Sequence, residues 1–178
     1  MTTASEVVGF WREAGMQKWF RGGAEFDREC ESRFLGAHLA AARREHEHWM
    51  DDAEGALALL ILLDQIPRNV FRDSGHAFAS DGLALHYANR AVEAGLDVQV
   101  DPALRTFMYL PFEHSEAMAD QRRSVSLFRT LGDEGYLDYA VQHLDVIEKF
   151  GRFPHRNRAL GRISTPEEQA WLEAGGGF

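Results

Sequence analysis

The amino-acid sequence predicts an all-α protein. Apolar residues recur at intervals of three and four residues along most of the chain, and this spacing places them on one face of a helix. The alternation of apolar and polar residues that is typical of strands is almost absent. Capping residues, glycines and prolines divide the chain into short segments, which predicts about eight antiparallel helices with short connections.

The first helix is predicted to begin after Thr3, because its hydroxyl can cap the first turn while Glu6 reaches back to the backbone. Gly22 and Gly23 end it. The second helix is predicted to continue to Arg44. It carries large or buried-type side chains at every fourth position, namely Phe26, Cys30, Phe34 and His38.

The third helix is predicted to open near Asp51 and Asp52, whose charges suit the positive end of the helix dipole. Pro67 is predicted to end this helix, because proline has no backbone N–H to donate. The fourth helix begins at Ser80 and ends near Gly95.

The fifth helix is predicted to begin at Asp101-Pro102 and to be interrupted by Pro111. Two longer helices follow, at residues 115–131 and 133–150, and Gly151 is predicted to form the left-handed cap of the second. Thr165 and Glu168 predict a capping box for a last short helix. Residues 175–177 are all glycine and are predicted to be frayed.

Length and composition predict the class of protein. The 178 residues predict a single helical domain over residues 1–178, and 45 % hydrophobic residues with 26 % charged residues exclude intrinsic disorder. A formal charge of -9 has the wrong sign for nucleic-acid binding. The longest apolar run, residues 56–63, is far shorter than the ~20 residues of a membrane span. The single Cys30 and the lack of a secretory signal predict a cytoplasmic protein.

Three segments, at residues 63–72, 110–116 and 150–157, combine charged, amide and imidazole groups with aromatic residues and proline. Rigid turns of this kind hold polar groups in place, as a binding site requires. In the first segment Asp64 continues an apolar stripe, so we expect a buried carboxylate that needs a partner such as Arg68 or a distant arginine. The alternative is an Asp-Arg pair that only locks the end of the helix.

The second segment places His114 and Glu116 within one turn, after Pro111. In the third segment Arg152, His155 and Arg156 lie within five residues, which is typical of a clamp for carboxylate or phosphate groups. The alternative is that these arginines neutralise the protein's own carboxylates and cap helix carbonyls. We expect the third segment to lie within ~12 Å of Asp64, since a buried carboxylate requires a cation.

His143 lies on the apolar stripe of the seventh helix, where a histidine is more often a core residue than a ligand. Together with Asp64, His114 and His155 it could supply the N and O ligands of a transition metal. The sequence lacks the H-E-x-x-H motif and a Glu-x-x-His pair at the relevant helices. We therefore predict no metal and no cofactor.

Three functions compete. The first is a module that binds an anionic small molecule or peptide, and the second is a hydrolase with Asp64 or His114 as general base, with or without the assistance of a metal. The third is a purely structural polar network. The predicted ligand-binding residues are Asp64, Arg68, Asn69, His114, Glu116, His143, Arg152, His155, Arg156 and Asn157.

The polar segments also carry a family resemblance. The stretches LDQIPRN (63–69), LPFEHSE (110–116) and FGRFPHRN (150–157) closely resemble a bacterial family known only as domain of unknown function number 924. The resemblance implies a tetratricopeptide-like array of antiparallel helices and no settled activity. One departure is that Gly22 and Gly23 stand where family members tend to carry aspartate after the Trp19-Phe20 pair.

Overall fold

The computed structural model describes residues 2–178. Within that range the protein is 74 % helical and has no strand, which confirms the all-α class. The α3 and α4 segments are joined by one π-helical turn, so the helices number eight, as the sequence predicts. The segments are α1 (Ala4–Arg21), α2 (Gly23–Ala42), α3 (Ala53–Leu60), α4 (Ile66–Val70), α5 (Asp81–Glu93), α6 (Thr106–Glu113), α7 (Met118–Leu131), α8 (Glu134–Phe150) and α9 (Pro166–Glu173).

The helices form two compact units. The first contains the described residues up to Arg72 together with His76–Pro111, and the second contains Asp73–Gly75 and Phe112–Phe178. The single-domain organisation over residues 1–178 stays a prediction. None of the helices within residues 2–178 is both long and apolar enough to cross a lipid bilayer.

Most predicted helix ends are confirmed. The capping boxes of Thr3 with Glu6 and of Thr165 with Glu168 are both present, at the starts of α1 and α9. Gly151 ends α8 with a left-handed φ of 70°, a conformation that glycine adopts without steric penalty. Residues 101–105 form turns, so α6 begins later than predicted, and Pro111 lies inside α6 and does not interrupt it.

In the second unit α7 and α8 pack against each other. Val146 and Ile147 of α8 form a small apolar core with Phe153, against which Trp171 of α9 packs. This core fixes the turn after α8 and thereby the polar segment that the turn carries.

In the first unit α3 and the π-turn form the central element, because every residue from 55 to 66 is buried. The prediction that Pro67 ends this helix is wrong. The chain forms a π-turn at Ile61–Gln65, in which the Ile66 N–H donates to the carbonyl of Ile61, and it then continues as α4. Pro67 occupies the first turn of α4, where proline is tolerated.

Side chains supply the donors that this irregular turn requires. Four consecutive carbonyl oxygens, at residues 62–65, each accept a hydrogen bond from a side chain. A buried carbonyl without a donor would destabilise the fold, and these bonds remove that penalty. The donors are His38 Nδ1 to Leu62 O at 2.8 Å, Ser80 Oγ to Leu63 O at 2.6 Å, Arg68 Nη1 to Asp64 O at 2.6 Å and Asn69 Nδ2 to Gln65 O at 3.0 Å.

The π-turn gives a test of the fold. Replacing Ser80 by Ala removes the side-chain donor to the buried Leu63 carbonyl, so we expect the free energy of unfolding to fall by about 1–3 kcal/mol. Urea denaturation measures the change. Ser126→Ala, at an exposed position of α7, is the matched control and should change stability by less than about 0.5 kcal/mol. Equal stability of the two variants would show that the Ser80 bond contributes nothing.

Candidate functional site

The residues of the first polar segment form an ion-pair network inside the first unit. Asp64 is 1 % exposed, as its position on the apolar stripe predicts. Arg68 Nη1 lies 3.2 Å from Asp64 Oδ1, and the same guanidinium donates to both oxygens of Asp81 at 2.9 and 3.0 Å. One guanidinium therefore faces two carboxylates, and this arrangement does not attract an anion. Asn69 is buried and donates to the Gln65 carbonyl.

Arg68 supplies the cation that buried Asp64 requires. We predict the third segment near Asp64 because a buried carboxylate needs a cation. Arg68 meets that need within the first unit, so Asp64 no longer requires a cation from the third segment. The ~12 Å proximity of Asp64 to Arg152, His155 and Arg156 stays a prediction.

The second and third polar segments come together within the second unit. Arg156 Nη1 donates to the carbonyl of His114 at 3.0 Å, across 42 positions of sequence. The Phe153 backbone N–H donates to Glu116 Oε1 at 2.8 Å. These two bonds hold the turn after α8 against the connection between α6 and α7.

Most of the charge around these segments is neutralised by ion pairs. Arg152 binds Glu168 through two hydrogen bonds of 2.7 and 2.8 Å. Arg162 binds Glu116 through two hydrogen bonds of 2.8 and 3.0 Å. Arg162 also donates to Asn157 Oδ1 at 2.9 Å, so the two pairs are linked through Asn157, whose amide donates to Glu168.

The sequence interpretation missed Arg162 and Glu168 as parts of this network. The Glu168 carboxylate also accepts the Thr165 backbone N–H at the start of α9. The hydrogen bond from Arg152, followed by the one from Thr165, lowers the pKa of Glu168 to about 2. The capping box was the only signal for Glu168 in the sequence.

His143 on α8 lies buried in the second unit, 6 % exposed. Its Nδ1 lies 2.8 Å from the Tyr139 carbonyl and 3.4 Å from Glu113 Oε1. A carbonyl oxygen can only accept, so Nδ1 carries the proton and the neutral ring has its lone pair on Nε2. Burial lowers the pKa of His143 to about 3, with smaller contributions from His114 and Arg156.

His155 is a second neutral imidazole. Burial, followed by the charge of Arg156, lowers its pKa to about 4, and its Nδ1 is buried without a hydrogen-bond partner. Arg156 is 6 % exposed and its guanidinium lies 4.6 Å above the ring of Phe153. The His114 ring centre lies 6.4 Å from that of His143. Three histidines and one arginine, His114, His143, His155 and Arg156, are called the histidine cluster below.

Phe178 covers part of the histidine cluster, and the sequence interpretation missed this residue. Its ring stacks on His143 with 3.6 Å between the ring centres and 13° between the planes. Gly175 and Gly176 are held by α9, because their N–H groups donate to the carbonyls of Leu172 and Trp171, each at 3.0 Å. The prediction of fraying is therefore wrong at these two glycines, and at Gly177 it stays a prediction.

The cluster has a limited chemistry of its own. Within residues 2–178 no group of three or more His, Cys, Asp or Glu side chains has the geometry to hold a metal ion. Imidazoles with a pKa of about 3 and about 4 are neutral at pH 7 and are weak proton acceptors. They can accept hydrogen bonds, and beside an anion they can become protonated.

Comparisons with known proteins identify the family. The family model of a bacterial protein of unknown function (DUF924) matches residues 7–176. The solved structure of a protein of unknown function from Agrobacterium tumefaciens is 49 % identical, covers 97 % of each chain and superposes with a TM-score of 0.94. No curated protein sequence matches significantly. With nearly its whole length matched by the family model, the chain belongs to the DUF924 family of bacterial proteins of unknown function.

Proposed function

We propose that the second unit is a binding module for an anionic small molecule or peptide, with the histidine cluster as its site. One observation carries the proposal: two neutral imidazoles, His143 and His155, lie beside the buried guanidinium of Arg156. Arginine recognises carboxylate and phosphate groups through paired hydrogen bonds. In a partly buried site its charge acts more strongly than in water.

The imidazoles supply a second attraction for an anion. A negative charge nearby favours the protonated form of histidine, so a bound anion raises the pKa of His143 and His155. The carboxylate of Glu113, 3.4 Å from His143, acts in the same direction. Binding is therefore coupled to proton uptake, and the affinity for an anion rises as the pH falls.

The remaining predicted residues have a supporting role in this proposal. Arg152, Glu116 and Asn157 make the ion pairs and hydrogen bonds that fix the turn after α8. Asp64, Arg68 and Asn69 stabilise the π-turn of the first unit. The contacts of these six residues favour a structural role for them. The histidine cluster is then the part of the predicted site that binds the ligand.

Binding is favoured over hydrolysis by the same pKa values. A general base works best with a pKa near the working pH, and the pKa values of His143 and His155, about 3 and about 4, lie far below it. Asp64 is held by Arg68 and is 1 % exposed, which leaves it no access to water or substrate. Asp64 as a catalytic base is therefore the weaker alternative, and His114 stays the candidate base of a hydrolase.

A cytoplasmic location is also part of this proposal. Cys30 is a free, buried thiol, and burial raises its pKa to about 12. A protein without disulfides suits a reducing compartment.

The histidines make stability depend on pH. The folded-state pKa of His143, about 3, lies below the 6.5 of an unperturbed histidine, so between these values only the unfolded chain takes up the proton. We expect the free energy of unfolding to fall as the pH is lowered from 6.5 to 4.5. In His143→Asn, which keeps a donor for the Tyr139 carbonyl, this slope should be smaller by up to about 1.4 kcal/mol per pH unit.

Urea denaturation at several pH values measures this slope. The matched control is His86→Asn, at an exposed histidine of α5, which should leave the slope unchanged. An identical slope in the wild type and in His143→Asn would contradict a neutral buried His143.

The proposed site predicts anion binding by the purified protein. Calorimetric titration with acetate and with inorganic phosphate should show binding that is tighter at pH 5.5 than at pH 7.5, with uptake of protons from the buffer. Arg156→Met keeps most of the apolar stem and should weaken binding by about tenfold or more. Arg129→Met, at an exposed arginine of α7, is the matched control and should bind like the wild type.

Two results would contradict the proposal. No binding of either anion at any of these pH values would remove the binding function. Binding that is equally strong in Arg156→Met and in the wild type would place the anion outside the histidine cluster.

A further inference from the structure

The ring of Phe178 contacts three other rings of the second unit. Its face stacks on the imidazole of His143 at 3.6 Å. The ring of Phe153 stands perpendicular to it at 6.3 Å, and the ring of His155 is nearly perpendicular at 5.6 Å. One stacked and two edge-on neighbours are the arrangement that aromatic rings prefer, so these three side chains form a slot shaped for a planar ring.

Two walls of this slot, Phe153 and His143, are held by contacts other than Phe178. Phe153 is fully buried, and its ring also packs against His143 at 5.5 Å. His143 is held by the bond from Nδ1 to the Tyr139 carbonyl. The backbone of Phe153 is held through its N–H by Glu116. We therefore expect these two walls to keep their positions when the occupant leaves.

The occupant is held much less firmly than the walls. Phe178 is 48 % exposed although it is stacked. It follows three glycines, which lose more conformational freedom on ordering than any other residue. The hydrogen bonds of Gly175 and Gly176 to α9 fix the segment up to Gly176, so release of the ring begins with movement at Gly177.

Two of the glycines are required by the path of the segment. A Cβ on Gly176 would overlap the ring of Trp171. Gly177 has a φ of 136°, a backbone conformation that residues with a side chain rarely adopt. Glycine at these positions brings Phe178 to the slot.

We propose that Phe178 is a displaceable plug, which occupies the slot where the ligand of the second unit places a planar aromatic group. The inference rests on the proposed function, since the slot is part of the histidine cluster that holds the anionic group. The ligand is then an aromatic carboxylate, either a free small molecule or the end of a peptide. The ring takes the place of Phe178 on His143, and the carboxylate meets Arg156.

The proposal is tested with 2-naphthoate, an aromatic carboxylate, and with acetate, which has the charge but no ring. Calorimetry measures the dissociation constants for the wild type and for Phe178→Ala at pH 5.5. Removal of the plug should tighten the binding of 2-naphthoate by about two- to tenfold, which is the effect of losing one competing aromatic contact. The binding of acetate should not change.

Two further variants sharpen the test. In Gly176→Val the added side chain overlaps Trp171 and moves the segment away, so this variant should bind 2-naphthoate like Phe178→Ala although Phe178 is intact. Phe20→Ala removes an exposed phenylalanine from the first unit and should bind both probes like the wild type. The ring protons of His143 should shift downfield in the NMR spectra of Phe178→Ala and Gly176→Val, because the stacked ring is gone.

The outcomes separate the two proposals. If acetate binds and the affinity for 2-naphthoate is the same in the wild type, Phe178→Ala and Gly176→Val, the plug is refuted and the anion site stands. If 2-naphthoate binds no more tightly than acetate to Phe178→Ala, the aromatic slot is refuted. If neither probe binds to any variant, the proposed binding function itself fails.

Discussion

Four adjacent carbonyl oxygens, at residues 62–65, lie in the buried centre of the first unit and must each find a hydrogen-bond donor. Pro67 has no N–H to offer, and the π-turn changes the spacing of the donors that remain. The protein meets the requirement with side chains from three elements, among them His38 of α2 and Ser80 before α5. The positions of these elements around the central helix thus follow from the need to satisfy its carbonyl groups.

The same requirement shapes the second unit, with charged groups in place of carbonyls. Glu116 is partly exposed and Glu168 is buried. Each of these carboxylates forms two hydrogen bonds with one arginine. Breaking such a pair leaves a charge without compensation, which is far more destabilising than the pair itself is stabilising. The ion pairs therefore work as a scaffold, and they hold the turn after α8 in one conformation.

The histidines differ from the ion pairs in how they avoid the energetic cost of burying a charge. His143 is buried and His155 is half-buried, and both avoid the desolvation penalty of the charged form by staying neutral. Neutral imidazoles can still change their charge when the surroundings change, whereas the arginine pairs cannot. A binding site needs groups whose charge can change when a ligand binds. A scaffold needs ion pairs whose charges stay fixed.

Local sequence signals determined the helices and the burial of individual side chains. The capping boxes at Thr3 and Thr165 were readable because their partners lie three residues away. The burial of Asp64 and His143 followed from helical periodicity. The π-turn escaped this reasoning, because a proline in an apolar helix predicts a break unless distant donors are known. Those donors, Ser80 among them, are set by tertiary structure.

Only the tertiary structure decided which partner each polar group receives. For Arg152 the sequence left open an external anion or one of the protein's own carboxylates, and in the structure it binds Glu168, while Glu116 receives Arg162 from 46 residues away. The sequence offers many carboxylates and arginines of equal chemistry, and an ion pair forms between those that packing brings within reach. The covering of His143 by Phe178 has the same origin, since three glycines carry no pattern and the contact depends on where α9 directs the chain.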